Sequence, residues 1–328
     1  MRMEEIMKKV KYDEKDFAIY TPNEVFEDLQ CHIKNGIHVA YAYNYLYLTN
    51  WLYRNCKYAH YFNELGELSN NSIKEILGYN KSNRTMHYIT KNNGLLDSIG
   101  YTEPTKDYPM TSQLNEDENE FEFTTYEDMV VRDSDGKMID DMLLGQIPKT
   151  FFLKRPIKSF ERTVKFQNDE GEWFEEDVIG TYNNIENTHT VDFKVFMYCM
   201  GNKDLGTVAF YLYSWIKHKN DIYDGYYDVS LDKLAEETGI NRNTINKYMK
   251  FLKGHKVLDF RHNQEYFVIG MHEDERKSNS YKANDYDMFS DVFVEYKKIR
   301  VMDRFEYYNK KKIESGERIE FDLSQLPF

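Results

Sequence analysis

Residues 36–53 read GIHVAYAYNYLYLTNWLY and set Val39, Tyr43, Leu46 and Tyr47 at helical spacing, with Asn50 and Tyr53 following. That recurrence predicts a helix with a broad apolar face. A polar stretch around Gly66 comes next, then LSNNSIKEILGYNKSNRTMHYITKNNGLLDSIGY. It predicts two short helices broken at Gly78, a turn at Gly94 and a strand. Beyond residue 200 the pattern is clearest. A helix starts after Gly206 and buries Val208, Phe210, Leu212, Trp215 and Ile216. Ser230 is a predicted N-cap, although Lys233 stands where a full capping box has Glu or Gln. Leu231, Leu234 and Ala235 share one face, Thr238–Gly239–Ile240 is a tight turn, and Asn241 to Leu252 is a second helix with Ile245, Tyr248, Met249 and Leu252 facing inward. Val257–Phe260 and Tyr266–Ile269 alternate, which predicts a hairpin around the polar tip Arg261–His262–Asn263–Gln264. Over 284–313, Phe289, Val292, Phe293, Tyr296 and Ile299 predict an amphipathic helix, with Lys310–Lys311–Lys312 as a favourable charge cluster at its C-terminal end.

Residues 111–180 differ. TSQLNEDENE is an acidic loop and FEFTTYEDMVV alternates like a strand. Asp133–Ser134–Asp135–Gly136 and Asn168–Asp169–Glu170–Gly171 are turn signals, the second between RTVKF and EWFEEDVIGTY. The segment therefore predicts a β-rich insert or linker. Asp133, Asp135, Asp140 and Asp141 suggest calcium, but a calcium loop of the EF-hand kind would need a ligand at Val131, so the pattern fails.

The 328 residues suffice for about two domains. With 41% hydrophobic and 30% charged residues, collagen-like and wholly disordered classes are excluded. No apolar run predicts a membrane span, and MRMEEIMKKVKYDEKDF has no apolar signal segment. Cys31, Cys56 and Cys199 are odd in number and widely spaced, which fits neither a disulfide framework nor a metal pair; a reducing cytoplasm is expected. The net charge of −13 is unevenly spread. Residues 111–180 hold 8 Lys and Arg against 18 Asp and Glu, net −10. From Ile240 to His262, by contrast, six bases (Arg242, Lys247, Lys250, Lys253, Lys256, Arg261) face one acid, Asp259. That local net of +5 favours phosphate contact.

The order helix, helix–Gly turn–helix, hairpin, and the segment LDKLAEETGINRNTINKYMKFLKGHKVLDF, resemble the winged helix-turn-helix family. Leu234, Ala235, Gly239, Ile240, Thr244, Ile245, Tyr248 and Leu252 stand at that family's packing and turn positions. The resemblance implies a second helix in the major groove. Its DNA-binding residues would be Asn241, Arg242, Asn243, Thr244, Asn246, Lys247 and Lys250, with Arg261 and His262 at the hairpin tip. Arg pairs with guanine, and Asn with adenine, through two hydrogen bonds. The earlier segment repeats the pattern: Gly78–Tyr79–Asn80–Lys81 matches Gly239–Ile240–Asn241–Arg242, and Leu95–Leu96–Asp97 matches Lys256–Val257–Leu258–Asp259 less fully, with spacing that differs by one residue. The repeat adds Asn80, Lys81, Ser82, Asn83, Arg84 and His87 to the candidate DNA-binding residues. The expected architecture is α+β: two winged helix-turn-helix domains, a β-rich acidic insert and a C-terminal amphipathic helix. Its expected divisions are an N-terminal arm at 1–30, a first winged helix at 31–110, the insert at 111–185, a second winged helix at 186–272, and a C-terminal helix and tail at 273–328.

Phosphate-loop, nucleophile-elbow, zinc-protease and dinucleotide motifs are all missing from the sequence, so no catalytic residue, metal or cofactor is expected. The terminus EFDLSQLPF resembles the acidic tip of bacterial single-stranded-DNA-binding proteins, with Leu326–Pro327–Phe328 matching and Ser324–Gln325 replacing an acidic run. Tandem winged helices with such a tail resemble plasmid and phage replication initiators. The expected partners are double-stranded DNA, host replication proteins through Leu326, Pro327 and Phe328, and a second copy of the chain. The alternatives are a repressor of a mobile element and a protein-binding winged-helix adaptor.

Overall fold

The computed structural model describes residues 1–58, 68–115, 120–129, 153–159, 161–167, 171–179, 187–272 and 275–316. Helices predominate and the sheets are small, giving a mixed α+β fold. The N-terminal half contains α1 (Met3–Val10), β1 (Tyr20–Pro22), α2 (Val25–His32), α3 (Gly36–Arg54), α4 (Asn70–Ile76), α5 (His87–Thr90) and α6 (Leu95–Ser98). The acidic region follows as β2 (Thr102–Thr105), β3 (Pro109–Asn115), β4 (Glu120–Thr125), α7 (Tyr126–Met129), β5 (Leu153–Pro156), β6 (Glu161–Gln167) and β7 (Trp173–Ile179). The C-terminal half runs β8 (Thr188–Thr190), α8 (Phe193–Gly201), α9 (Gly206–Ile222), β9 (Tyr227–Val229), α10 (Leu231–Thr238), α11 (Arg242–Gly254), β10 (Leu258–Arg261), β11 (Tyr266–Ile269), β12 (Asn279–Ala283), β13 (Arg300–Asp303) and α12 (Arg304–Ser315). No helix among the described residues is long and apolar enough to cross a membrane.

One hydrophobic core runs from Ile6 to Ala283 and draws on both halves. Its axis is α3 against α9. Every residue of α3 from Val39 to Arg54 is buried, so the helix has no solvent face beyond its first turn, where Ile37 is exposed. Tyrosine makes this possible, because its ring packs while its hydroxyl reaches a partner. The Tyr47 hydroxyl donates to the Val191 carbonyl (2.7 Å), and the Tyr45 hydroxyl donates to Asn70 Oδ1 (2.8 Å). Across the seam, Asn44 Nδ2 donates to the Thr207 carbonyl at 2.9 Å, and the Tyr47 and Phe210 rings meet edge to face at 4.8 Å. Residues 1–30, expected as an arm, place Ile6, Val10, Ile19, Val25, Phe26 and Leu29 in this core.

The acidic region is built of two-stranded antiparallel pairs. β3 pairs with β4, β6 pairs with β7 and β2 pairs with β5, all antiparallel. The alternation expected to run on through 121–131 gives β4, then the short helix α7. The base of the insert is tied to the N-terminal half by a buried ion pair, Lys154 Nζ to Asp97 Oδ2 at 2.5 Å. The Asp133–Gly136 turn lies outside the described residues.

Two sequence expectations fail in the C-terminal half. β10 does not form a hairpin with β11. It pairs with β12, which also pairs with β9, giving the antiparallel order β10–β12–β9. β12 takes the centre because Tyr281 is fully buried there and Asn220 of α9 bonds its backbone twice. Asn220 Nδ2 donates to the Tyr281 carbonyl (2.9 Å), and the Ala283 amide donates to Asn220 Oδ1 (2.8 Å). β11 instead pairs in parallel with β13. The second failure is the helix over 284–313. Only α12 is a regular α-helix there, capped by Asp303 Oδ1 accepting from the Glu306 amide at 2.9 Å, and it buries no residue. Phe289, Phe293 and Tyr296 lie upstream on a non-helical strap, where their rings find three different partners. Phe289 packs on Tyr198 (5.1 Å between centroids), Phe293 on His255 (6.0 Å) and Tyr296 on Phe260 (5.1 Å). The strap also hydrogen-bonds the end of α11, with the Ser290 amide donating to the His255 carbonyl (2.9 Å) and the Val294 amide to the Gly254 carbonyl (2.8 Å).

Candidate nucleic-acid interface

The α10–turn–α11 unit is capped at each step. Ser230 Oγ accepts from the Lys233 amide (3.1 Å) to open α10, as the sequence predicted. Gly239 closes α10 with φ +67°, a left-handed conformation that costs glycine least. Ile240 is buried beneath the turn. Asn241 then opens α11, its Oδ1 accepting from the Asn243 amide at 2.9 Å.

α11 divides sharply. Ile245, Met249 and Leu252 are buried, whereas Arg242, Asn243, Asn246, Lys247 and Lys250 are exposed and Thr244 is half-buried. Five side chains with hydrogen-bond donors thus share a free helical surface. Arg242 Nε lies 2.5 Å from Asp232 Oδ1 in α10, a residue that sequence inspection did not single out. Lys247 Nζ sits 5.4 Å from the Tyr248 ring centroid and Lys250 Nζ 5.8 Å from that of Phe293. Lys253 behaves differently. Its amine is lodged 4.7 Å from the Phe260 ring and 4.8 Å from the Tyr296 ring, and burial pushes its pKa down to about 8. Not all of the +5 counted along the chain is therefore presented to solvent. At the end of β10, the Arg261 guanidinium stacks 3.8 Å over the Tyr226 ring, whose hydroxyl bonds Asp259. His262 is half-buried, with Nδ1 held 3.0 Å from Asn279 Oδ1 of β12.

The candidate residues of the N-terminal half are arranged otherwise. Asn80 to Arg84 lie on turns ahead of the four-residue α5, which starts at His87. Asn80 Oδ1 accepts from the Ser82 amide (2.9 Å) and hydroxyl (2.8 Å), and Asn83 Oδ1 accepts from the Thr85 amide (2.9 Å) and hydroxyl (2.7 Å). These local bonds compete with helix formation, which explains why α5, the counterpart of α11 in this half, is so short. Lys81 pairs with Glu75 at 3.2 Å, while Arg84 and His87 are exposed. A cavity of about 390 Å³ brings Gly78 and Tyr79 of this half close to Tyr248 of α11, with Asn202 and Lys203 on its wall. Lys203 has no sequence motif around it that would have marked it. Leu326, Pro327 and Phe328 lie outside the described residues.

Two buried histidines occupy the core behind this unit. Tyr43 Oη lies 2.8 Å from His189 Nε2, and His189 Nδ1 lies 2.8 Å from Asn23 Oδ1. Burial, then the neighbouring His218, depresses His189 to about 3; burial depresses His218 to about 4. Both are neutral near pH 7; His189 serves packing and hydrogen bonding, and His218 packs its ring against Phe26 and Trp215. Among the described residues no group of three or more His, Cys, Asp or Glu side chains is placed to hold a metal. Compared with known proteins, the chain matches no family model, no curated protein and no solved structure.

Proposed function

We propose that this chain binds double-stranded DNA sequence-specifically through α11, as a replication initiator of a plasmid or phage. One observation carries the proposal: Arg242, Asn243, Asn246, Lys247 and Lys250 stand exposed on one helix whose opposite face is anchored in the core. The elements α9, β9, α10, α11, β10 and β12, with β12 between β10 and β9 in the sheet, support it as the connectivity expected of a winged helix-turn-helix, although β11 is inserted between β10 and β12 and pairs with β13 instead. In such a unit the N-terminal turn of the second helix meets base edges, while lysines further along meet phosphates. Arg242 and Asn243 suit the first task; Lys247 and Lys250 suit the second. The acidic hairpins carry the opposite charge and belong away from the duplex. Selection of bound sequences from random duplexes tests the proposal, since it reports site, spacing and symmetry together. Failure to enrich any sequence, with equal binding by the Arg242→Ala, Lys247→Ala, Lys250→Ala triple variant, defeats the groove assignment. Replication of a plasmid that depends on the selected site then separates an initiator from a repressor.

A further inference from the structure

α10 and α11 are not held by their own half alone. The carbonyl of Glu237, in the last turn of α10, is one of the helix-end acceptors that an α-helix cannot satisfy internally. Gln30 of α2, 207 residues away in sequence, supplies the partner: its Nε2 donates to that carbonyl at 2.5 Å. Beside it, the first residue of α3 lies against the turn itself. A Cβ built on Gly36 would stand 2.3 Å from the Gly239 carbonyl oxygen and 2.7 Å from Ile240 Cα, closer than any side chain tolerates. Only glycine lets the two backbones approach this far. Asn35 completes the contact surface by capping α3, its Oδ1 accepting from the Ile37 amide at 3.0 Å. At its other end α11 is held by the Ser290 and Val294 amides of the strap.

We infer that Gly36 and Gln30 are positioning residues for α11: the N-terminal half clamps the α10–α11 turn and fixes the angle at which the helix meets its target. The inference rests on the DNA reading of α11 for its consequence, though not for the clamp itself. Base contacts need the helix in register and oriented to within a hydrogen-bond length, whereas phosphate attraction does not. Loosening the clamp therefore lowers specific affinity and leaves random-sequence affinity in place, a pattern that general destabilisation of the fold does not produce.

The full-length chain carrying Gln30→Ala, and separately Gly36→Ala, is compared with wild type in two measurements. Amide hydrogen exchange without DNA follows Ile240 and Asn243, whose N–H groups lie in the clamped turn and the first turn of α11. Exchange there is expected to quicken about fivefold or more in Gln30→Ala, the effect of one lost hydrogen bond, and further in Gly36→Ala. Affinity is expected to fall about tenfold for the selected duplex, with random duplex affinity unchanged. Should Gly36→Ala fail to fold, Gln30→Ala alone decides. Unchanged exchange in Gln30→Ala overturns the clamp. Faster exchange with undiminished affinity for the selected duplex overturns its role in positioning. If wild type selects no duplex at all, the DNA proposal fails, and the exchange data still judge the clamp.

Discussion

Arg242 and Asp232 join the first turn of α11 to the first turn of α10, Nε to Oδ1 at 2.5 Å. The pair is open to solvent, with side chains 58% and 72% exposed, and such pairs contribute at most about 1 kcal/mol. It orients the guanidinium without holding it tightly. Asp232→Asn is expected to leave thermal stability almost unchanged and, under the proposed groove assignment, to strengthen binding to every duplex at low salt, since one exposed carboxylate beside Arg242 is removed. Arg242→Ala is expected to cost about 1–3 kcal/mol at the selected site if the side chain pairs with guanine. Titrations of both variants against selected and random duplexes check this; equal losses on both duplexes for Arg242→Ala would reassign the residue to the backbone.

Lys250 and Lys253 are one turn apart, and the structure gives them opposite environments. Lys250→Ala should weaken binding to all sequences alike and lower the slope of log affinity on log salt by about one. Lys253→Met should leave both quantities nearly untouched, because its amine is enclosed by Phe260 and Tyr296. The depressed pKa of about 8 also has a thermodynamic consequence. Between pH 8 and the ordinary lysine value, about 10.4, the unfolded chain holds a proton that the fold has shed. Stability contributed by this group therefore rises with pH across that window. Denaturant midpoints at pH 8 and 9.5, wild type against Lys253→Met, measure it; a slope that is the same in both would place the lysine in water.

Acid acts in the other direction through His189. Its folded pKa of about 3 lies below the ordinary 6.5, so below pH 6.5 the unfolded chain takes up a proton that the fold refuses. Stability is expected to fall by about 1.4 kcal/mol per pH unit from this residue as pH drops from 6.5 toward 4. His189→Gln, which can still accept from Tyr43, should flatten the dependence measured by urea unfolding at pH 7, 6 and 5. An unaltered slope would show that His189 titrates normally.

The strap across the end of α11 yields a separate expectation. Phe293→Ala removes a half-buried ring and is expected to cost about 1–2 kcal/mol. The Ser290 and Val294 amides, which donate to His255 and Gly254, should then exchange faster than those of β12. Retained protection at both amides would mean that the backbone bonds alone hold the strap.

If Leu326–Phe328 engages host replication proteins, as its resemblance implies, removing these three residues is expected to spare DNA binding and to impair capture of those proteins, because a phenyl ring held by Pro327 suits an apolar pocket. Pull-downs with purified replication proteins compare the two forms, and equal capture by both would make the resemblance irrelevant.

Local chemistry was enough to read much of α10 and α11. Ser230, Gly239 and Asn241 act within a few residues of themselves, and the 3.6-residue repeat of Ile245, Met249 and Leu252 points one face inward whatever lies beneath. For the same reason the exposed set from Arg242 to Lys250 was legible. Strand partners were not. β10 and β11 both alternate, and alternation specifies a face, not a neighbour; burial of Tyr281 and the two bonds from Asn220 gave the place beside β10 to β12. Periodicity misled at Phe289, Phe293 and Tyr296, since a helical interval also fits a strap whose rings reach three separate sites. The clamp was invisible for a related reason. Gln30 and Gly36 become meaningful only when a chain folding back over some 207 residues sets them against Glu237 and Gly239. Sequence determines what each segment can bury or bond close by; tertiary structure decides which distant group fills a leftover carbonyl or a missing side chain's space, because that depends on how the whole core packs.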